Sequence, residues 1–141
     1  MANLESIIRL RRFQLDEKRQ TLADLHRLSS ELSSERMRLN ETIELEQRAA
    51  LAANDRNTAF AFGSFVQAAI ERRKRIDGSL QKLALQIAAA TDDVRAAFSD
   101  LKTFEQTEAS REARKAKLAA RAEAMRFDDM GVEGFRRRAA G

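Results

Sequence analysis

The side chains that most often perform chemistry are sparse in this sequence. There is one histidine, His26, and no cysteine, which excludes thiolate metal sites, cysteine nucleophiles and disulfides. A lone histidine also lacks the company that a catalytic triad or a zinc site needs. Carboxylates occur in adjacent pairs, Asp92-Asp93 and Asp128-Asp129. Neighbouring residues on a helix point in different directions, so neither pair can share a proton or a metal as facing carboxylates do. No glycine-rich phosphate loop is present. The inventory points away from catalysis, and we expect a non-enzymatic protein without cofactor or metal.

What remains is charge and a group of aromatic residues. The 26 basic side chains exceed the 22 acidic ones by only +4. Residues 1–56 are neutral, with ten of each sign, whereas residues 101–141 carry ten basic against seven acidic side chains. Arginine suits bidentate contact with carboxylates and phosphates alike. The candidate partner-binding set on this count is Arg9, Arg11 and Arg12 together with Arg111, Arg114, Lys115, Lys117 and Arg121. The run Arg72-Arg73-Lys74-Arg75 points around most of a helix's circumference and is weak evidence for a groove-reading surface. The aromatic group is Phe60, Phe62 and Phe65. These rings serve either as an apolar plug or as an exposed patch of the kind that marks a protein interface.

The elements that must position these residues follow from composition and spacing. Roughly 56% of the 141 residues are Ala, Glu, Lys, Leu or Arg, and there is no proline, the make-up of long helices or a coiled coil. Apolar residues recur at alternating steps of four and three, which keeps a seam on one side of a supercoiled helix. One seam runs from Leu4 through Ile8, Leu15, Leu22, Leu25, Leu32, Leu39 and Ile43 to Ala53, with Arg11, Lys18, Ser29, Arg36 and Glu46 among its slots. A second runs Ala59, Phe62, Val66, Ala69, Arg73, Ile76, Leu80, Leu83, Ile87, Ala90, Val94, Ala97, Leu101 and Phe104. It then degrades through Glu108, Arg111 and Lys115 before Leu118, Ala122 and Met125.

Between the seams, Asn54 to Thr58 are polar residues of which several favour caps and turns. The expected fold is all-α: two long helices, about 4–53 and 59–126, joined by a turn at about 54–58 into an antiparallel coiled-coil hairpin. Gly63 and Gly78 are expected kinks. Two glycines and a lost period beyond Arg126 predict a loosely ordered tail over 127–141. In such a hairpin the start of helix one and the end of helix two meet, so the basic set forms one tip and the phenylalanines lie at the other end.

The segment Arg12-Phe13-Gln14-Leu15-Asp16-Glu17-Lys18-Arg19 resembles the opening of the flagellar export protein FliJ family. Phe65-Val66-Gln67 is similar to the family's residues at the start of helix two, and Glu133, Phe135 and Arg136 to Arg138 look like its acidic-aromatic-basic ending, with Gly134 a departure. The resemblance implies a stalk-like coiled coil of flagellar type III export. It would couple or promote assembly of the hexameric export ATPase, contact the cytoplasmic domain of the export gate protein and escort export chaperones. It further implies that the basic end meets the ATPase and that the hairpin end, matched through Phe65, faces the gate. Enterobacterial members carry tyrosines near the turn; this chain has none, which leaves Phe60 and Phe62 for that contact.

Two other readings follow from the residues alone. A nucleic-acid-associated basic coiled coil would use the basic end and Arg72 to Arg75, although near-balanced charge and the absence of interleaved aromatics speak against it. A homodimeric scaffold would pair helix one between chains, but helix two and the polar connector make an intrachain hairpin simpler. No hydrophobic run approaches the roughly 18 residues of a membrane span and the N-terminus lacks an apolar signal core. The expected location is cytoplasmic, peripheral to the inner-membrane export apparatus through partners only.

Overall fold

Two short polar residues start and stop the first helix. Asn3 caps it, its Oδ1 accepting from the Ser6 backbone N–H at 2.8 Å, and α1 then runs Leu4–Ala53 without interruption. At its far end Asn54 takes φ 47°, the left-handed conformation that closes a helix, and its N–H donates to the Ala50 carbonyl. Asp55 then caps the next helix: its carboxylate accepts from the Asn57 N–H and the Thr58 hydroxyl, both at 3.3 Å. The second helix, α2, spans Arg56–Ala140. The reversal therefore needs two residues, not the five expected. Arg56, Asn57 and Thr58 form the first turn of α2 because Asp55 already supplies the cap.

The computed structural model describes residues 3–140, and among them the protein is all-α, two long helices packed as an antiparallel hairpin. It divides into two units, residues 14–97 and residues 3–13 with 98–140. In the first, α1 and α2 meet along the predicted seam: Leu15, Ala69, Ile76, Leu83 and Ala90 are buried. The four on α2 are spaced by sevens, the repeat of a coiled coil. In the second unit the buried residues are Ile8 and Leu101, again seam positions. Every buried apolar residue among those described is thus a slot of the four-three count, while Lys18 and Glu46 of that count turn to solvent. No described polar side chain is fully buried.

Three arginines in the seam, Arg11, Arg36 and Arg73, are half-buried and send their heads to partners on the other helix. Arg36 Nε donates to Asp77 Oδ1 at 2.6 Å, and Arg73 Nη1 donates to Asn40 Oδ1 at 3.1 Å. Arg11 lies over the Phe104 ring, 5.4 Å from its centroid. Beside the seam Arg72 pairs with Glu35, and Arg12 pairs with Glu105 at 3.4 Å. These contacts fix the register that an Ala-rich stripe leaves loose.

The structure corrects the expected course of helix two. Residues 127–140 are helical, not a loosely ordered tail; α2 passes through Gly131 and Gly134 to Ala140. No described helix faces this stretch: from residue 109 to 140 the side chains are exposed and only Gly134 is partly covered. Helix formation in that stretch rests on its own alanines, arginines and glutamates, which are strong helix formers, over a length that well exceeds the roughly 15 residues at which isolated helices are marginal. Helix two, expected over 59–126, accordingly starts three residues earlier and ends later. It is also continuous through Gly63 and Gly78, the positions of the expected kinks.

Candidate interaction surfaces

The basic residues predicted as one tip are not a single cluster. Arg9 pairs within α1 with Glu5 at 3.7 Å, Arg11 is held over Phe104, and Arg12 is held by Glu105, which also receives Lys102 at 3.3 Å. Two of these three arginines are therefore engaged in the hairpin itself. Arg111 and Lys115 lie further along α2, where they share with Asn3, Leu4 and Glu5 a shallow cleft of about 250 Å³. Lys115 also meets Glu112 at 3.8 Å. Arg114, Lys117 and Arg121 fall past the start of α1; Lys117 stands twelve residues beyond Glu105, about 18 Å along the helix axis at 1.5 Å per residue. Among the described residues, no ion pair forms at Arg114, Lys117 or Arg121.

The lone stretch of α2 carries the protein's charge imbalance. Residues 109–140 contain nine Lys and Arg against five Asp and Glu, a net +4, which equals the net charge of the whole chain. The preceding 108 residues are balanced at seventeen of each sign. Within 109–126 the imbalance is six basic to two acidic; Asp128, Asp129 and Glu133 then offset Arg136 to Arg138. Net charge by segment carries this signal in the sequence, but the boundary at residue 109 is set by where the start of α1 lies opposite it.

Large apolar side chains accompany the charge. Leu118, Met125, Phe127, Met130, Val132 and Phe135 are all more than half exposed. Sequence reasoning misses this association for two reasons: Leu118 and Met125 stand in seam slots, which read as core wherever a facing helix is assumed, and the other four fall in the segment expected to be a tail. The phenylalanines near the reversal divide. Phe62 and Phe65 are half-buried against the hairpin, whereas Phe60 is 78% exposed and borders an open trough on one face of α2 with Gly63, Ser64, Gln67 and Glu71. The trough exists because glycine and serine lower the helix surface between larger neighbours.

His26 is exposed on α1. Among the described residues no group of three His, Asp or Glu side chains could hold a metal ion, and no helix is long and apolar enough to cross a membrane. The class that fold and surface define is a helical hairpin whose second helix runs on, unpaired among the described residues, with a net positive charge and exposed apolar side chains. No protein-family model, no curated protein and no solved structure matches this chain.

Proposed function

We propose that this chain is a non-enzymatic, stalk-like adaptor of a flagellar type III export apparatus, which docks on the hexameric export ATPase and promotes its assembly or turnover. The observation that carries the reading is the lone stretch of α2: a helix of roughly thirty residues, free on its sides and holding the chain's net positive charge. A hairpin that ends in a single exposed helix can enter a ring whose bore would exclude a wider body. The resemblance of Arg12 to Arg19 and of Phe65 to Gln67 to the FliJ family supports the same reading. On this view the ATPase contact belongs to Arg111, Arg114, Lys115, Lys117 and Arg121, with Arg9 beside them and Arg11 and Arg12 bracing the hairpin. Phe60 and the half-buried Phe62 and Phe65 form the end that faces the export gate, and chaperones are further partners.

The test is the ATP hydrolysis rate of a flagellar export ATPase with and without the full chain, beside a titration with duplex DNA at low and moderate salt. We expect the rate to rise, and the rise to be lost when Arg114, Lys117 and Arg121 are changed together to Glu. Unchanged hydrolysis combined with tight DNA binding would replace the export reading with the nucleic-acid one, since phosphate contacts by Arg and Lys give affinity that falls steeply with salt.

A further inference from the structure

The four-three spacing of α2 carries on past the start of α1. Leu101, Phe104 and Glu108 face α1, and the same four-three count carried onward lands on Arg111, Lys115, Leu118, Ala122 and Met125. Asn3 caps α1 beside Leu4, so the later slots have no described helix across from them. Leu118 is 58% and Met125 67% exposed, although each stands in phase with residues buried further back. The empty stripe is a direct continuation of an interface the protein already makes.

Its surroundings define what fits it. In heptad terms Arg114 and Arg121 border the stripe on one side and Arg126 borders it on the other, the positions that choose partners in coiled coils. Arg111 and Lys115 stand in the stripe itself. The one acid on this border, Glu112, is already met by Lys115. Inside the hairpin each arginine in a seam slot is answered from the other helix: Arg36 by Asp77, Arg73 by Asn40, Arg11 by the Phe104 ring. Among the described residues Arg111 has no such answer in an ion pair, and neither have Arg114, Arg121 and Arg126.

From this juxtaposition we infer that residues 111–126 of α2 take up a partner's acidic amphipathic helix, which occupies beside Leu118, Ala122 and Met125 the place α1 holds beside Leu101. The stripe spans about 22 Å, between two and three heptads of an occupant. Glu or Asp on the occupant's borders meets Arg114, Arg121 and Arg126, and an acid in its seam meets Arg111. A second copy of this chain is the poorer occupant, because it would set the same basic borders against each other. A nucleic acid leaves Leu118 and Met125 without a role. The inference concerns the occupant's chemistry and stands whether or not that occupant belongs to an export apparatus.

The experiment uses the full chain and two labelled synthetic peptides of about three heptads with the same Leu and Ala stripe, one bordered by Glu and the other by Lys. Fluorescence anisotropy is expected to show the Glu peptide bound about ten-fold more tightly, three exposed charge pairs being worth that much together, with the preference shrinking as salt rises. Leu118→Glu with Met125→Glu abolishes binding. Arg114→Glu, Arg121→Glu and Arg126→Glu together reverse the peptide preference, while the thermal midpoint of the hairpin stays put, which separates a lost surface from a lost fold. Equal binding of both peptides, no binding of either, or Glu-peptide binding indifferent to the Leu118 and Met125 changes would overturn the inference. So would concentration-dependent dimerisation in sedimentation that Leu118→Glu removes, or retention on anionic vesicles that the Glu peptide fails to displace.

Discussion

Residues 14–97 and residues 109–126 carry the same four-three spacing, yet among the described residues one stretch is a packed pair and the other a single helix. In the first, Ala69, Ile76, Leu83 and Ala90 are buried at intervals of seven. In the second, Leu118 and Met125 recur at the same interval and are exposed. The difference lies across the interface: α1 supplies the facing residues for one and begins too late in space to supply them for the other. Periodicity records a helix's capacity to pair; whether it is paired depends on what stands across from it, and no described residue of α1 stands across from Leu118 or Met125. Charge follows the same division, because a surface with a partner inside the chain balances its ions and the lone stretch keeps the excess.

The sharpest way to break the comparison is to make one substitution in both places. Leu83→Ala empties a buried slot and is expected to cost about 3 kcal/mol in chemical denaturation. Gly78→Ala works in the opposite direction. A Cβ there meets nothing within 4 Å and the backbone is helical, so the change is expected to add about 1 kcal/mol of stability and raise the unfolding midpoint. Gly131→Ala, equally open, is expected to raise helical content by circular dichroism without moving that midpoint. The Arg36–Asp77 pair is only half covered, so a double-mutant cycle is expected to return a coupling of about 0.5 kcal/mol that weakens with salt. Smallest of all, Leu118→Ala is expected to leave stability within about 0.5 kcal/mol of the parent, since its side chain packs against no facing helix. A Leu118→Ala cost similar to that of Leu83→Ala would mean that the two stretches unfold as one packed body.

Much of the hairpin is legible in the spacing of residues alone. The first helix spans the predicted residues, and the slots of both seams contain every buried apolar side chain described, because pairing in a coiled coil is written directly in the intervals between Leu, Ile and Ala. The reversal falls where polarity places it but is shorter than polarity suggests. Short polar residues mark where a helix can end, whereas the left-handed Asn54 and the capping carboxylate of Asp55 decide how few residues the turn needs. The end of α2 departs from expectation for a related reason. Glycine and a broken period at 131–135 resemble a loss of helix, yet a helix that packs against no described neighbour needs no apolar period to persist. The basic site is half legible, since charge by segment is a property of sequence, while the separation of Arg12, bound to Glu105, from Lys117 further down α2 is a property of register.

The two-residue reversal also orders events in time. The sequence separation of cross-helix partners grows from 33 for Asn40 and Arg73, through 37 for Glu35 and Arg72 and 41 for Arg36 and Asp77, to 93 for Arg12 and Glu105. Once Asn54 and Asp55 have set the bend, each further pair of heptads closes a loop only slightly longer than the one before, and the entropy of loop closure grows only with the logarithm of length. Such a chain is expected to fold as a zipper that starts at the bend, with changes at Asn54 slowing refolding and changes at Ile8 or Leu101 mainly hastening unfolding.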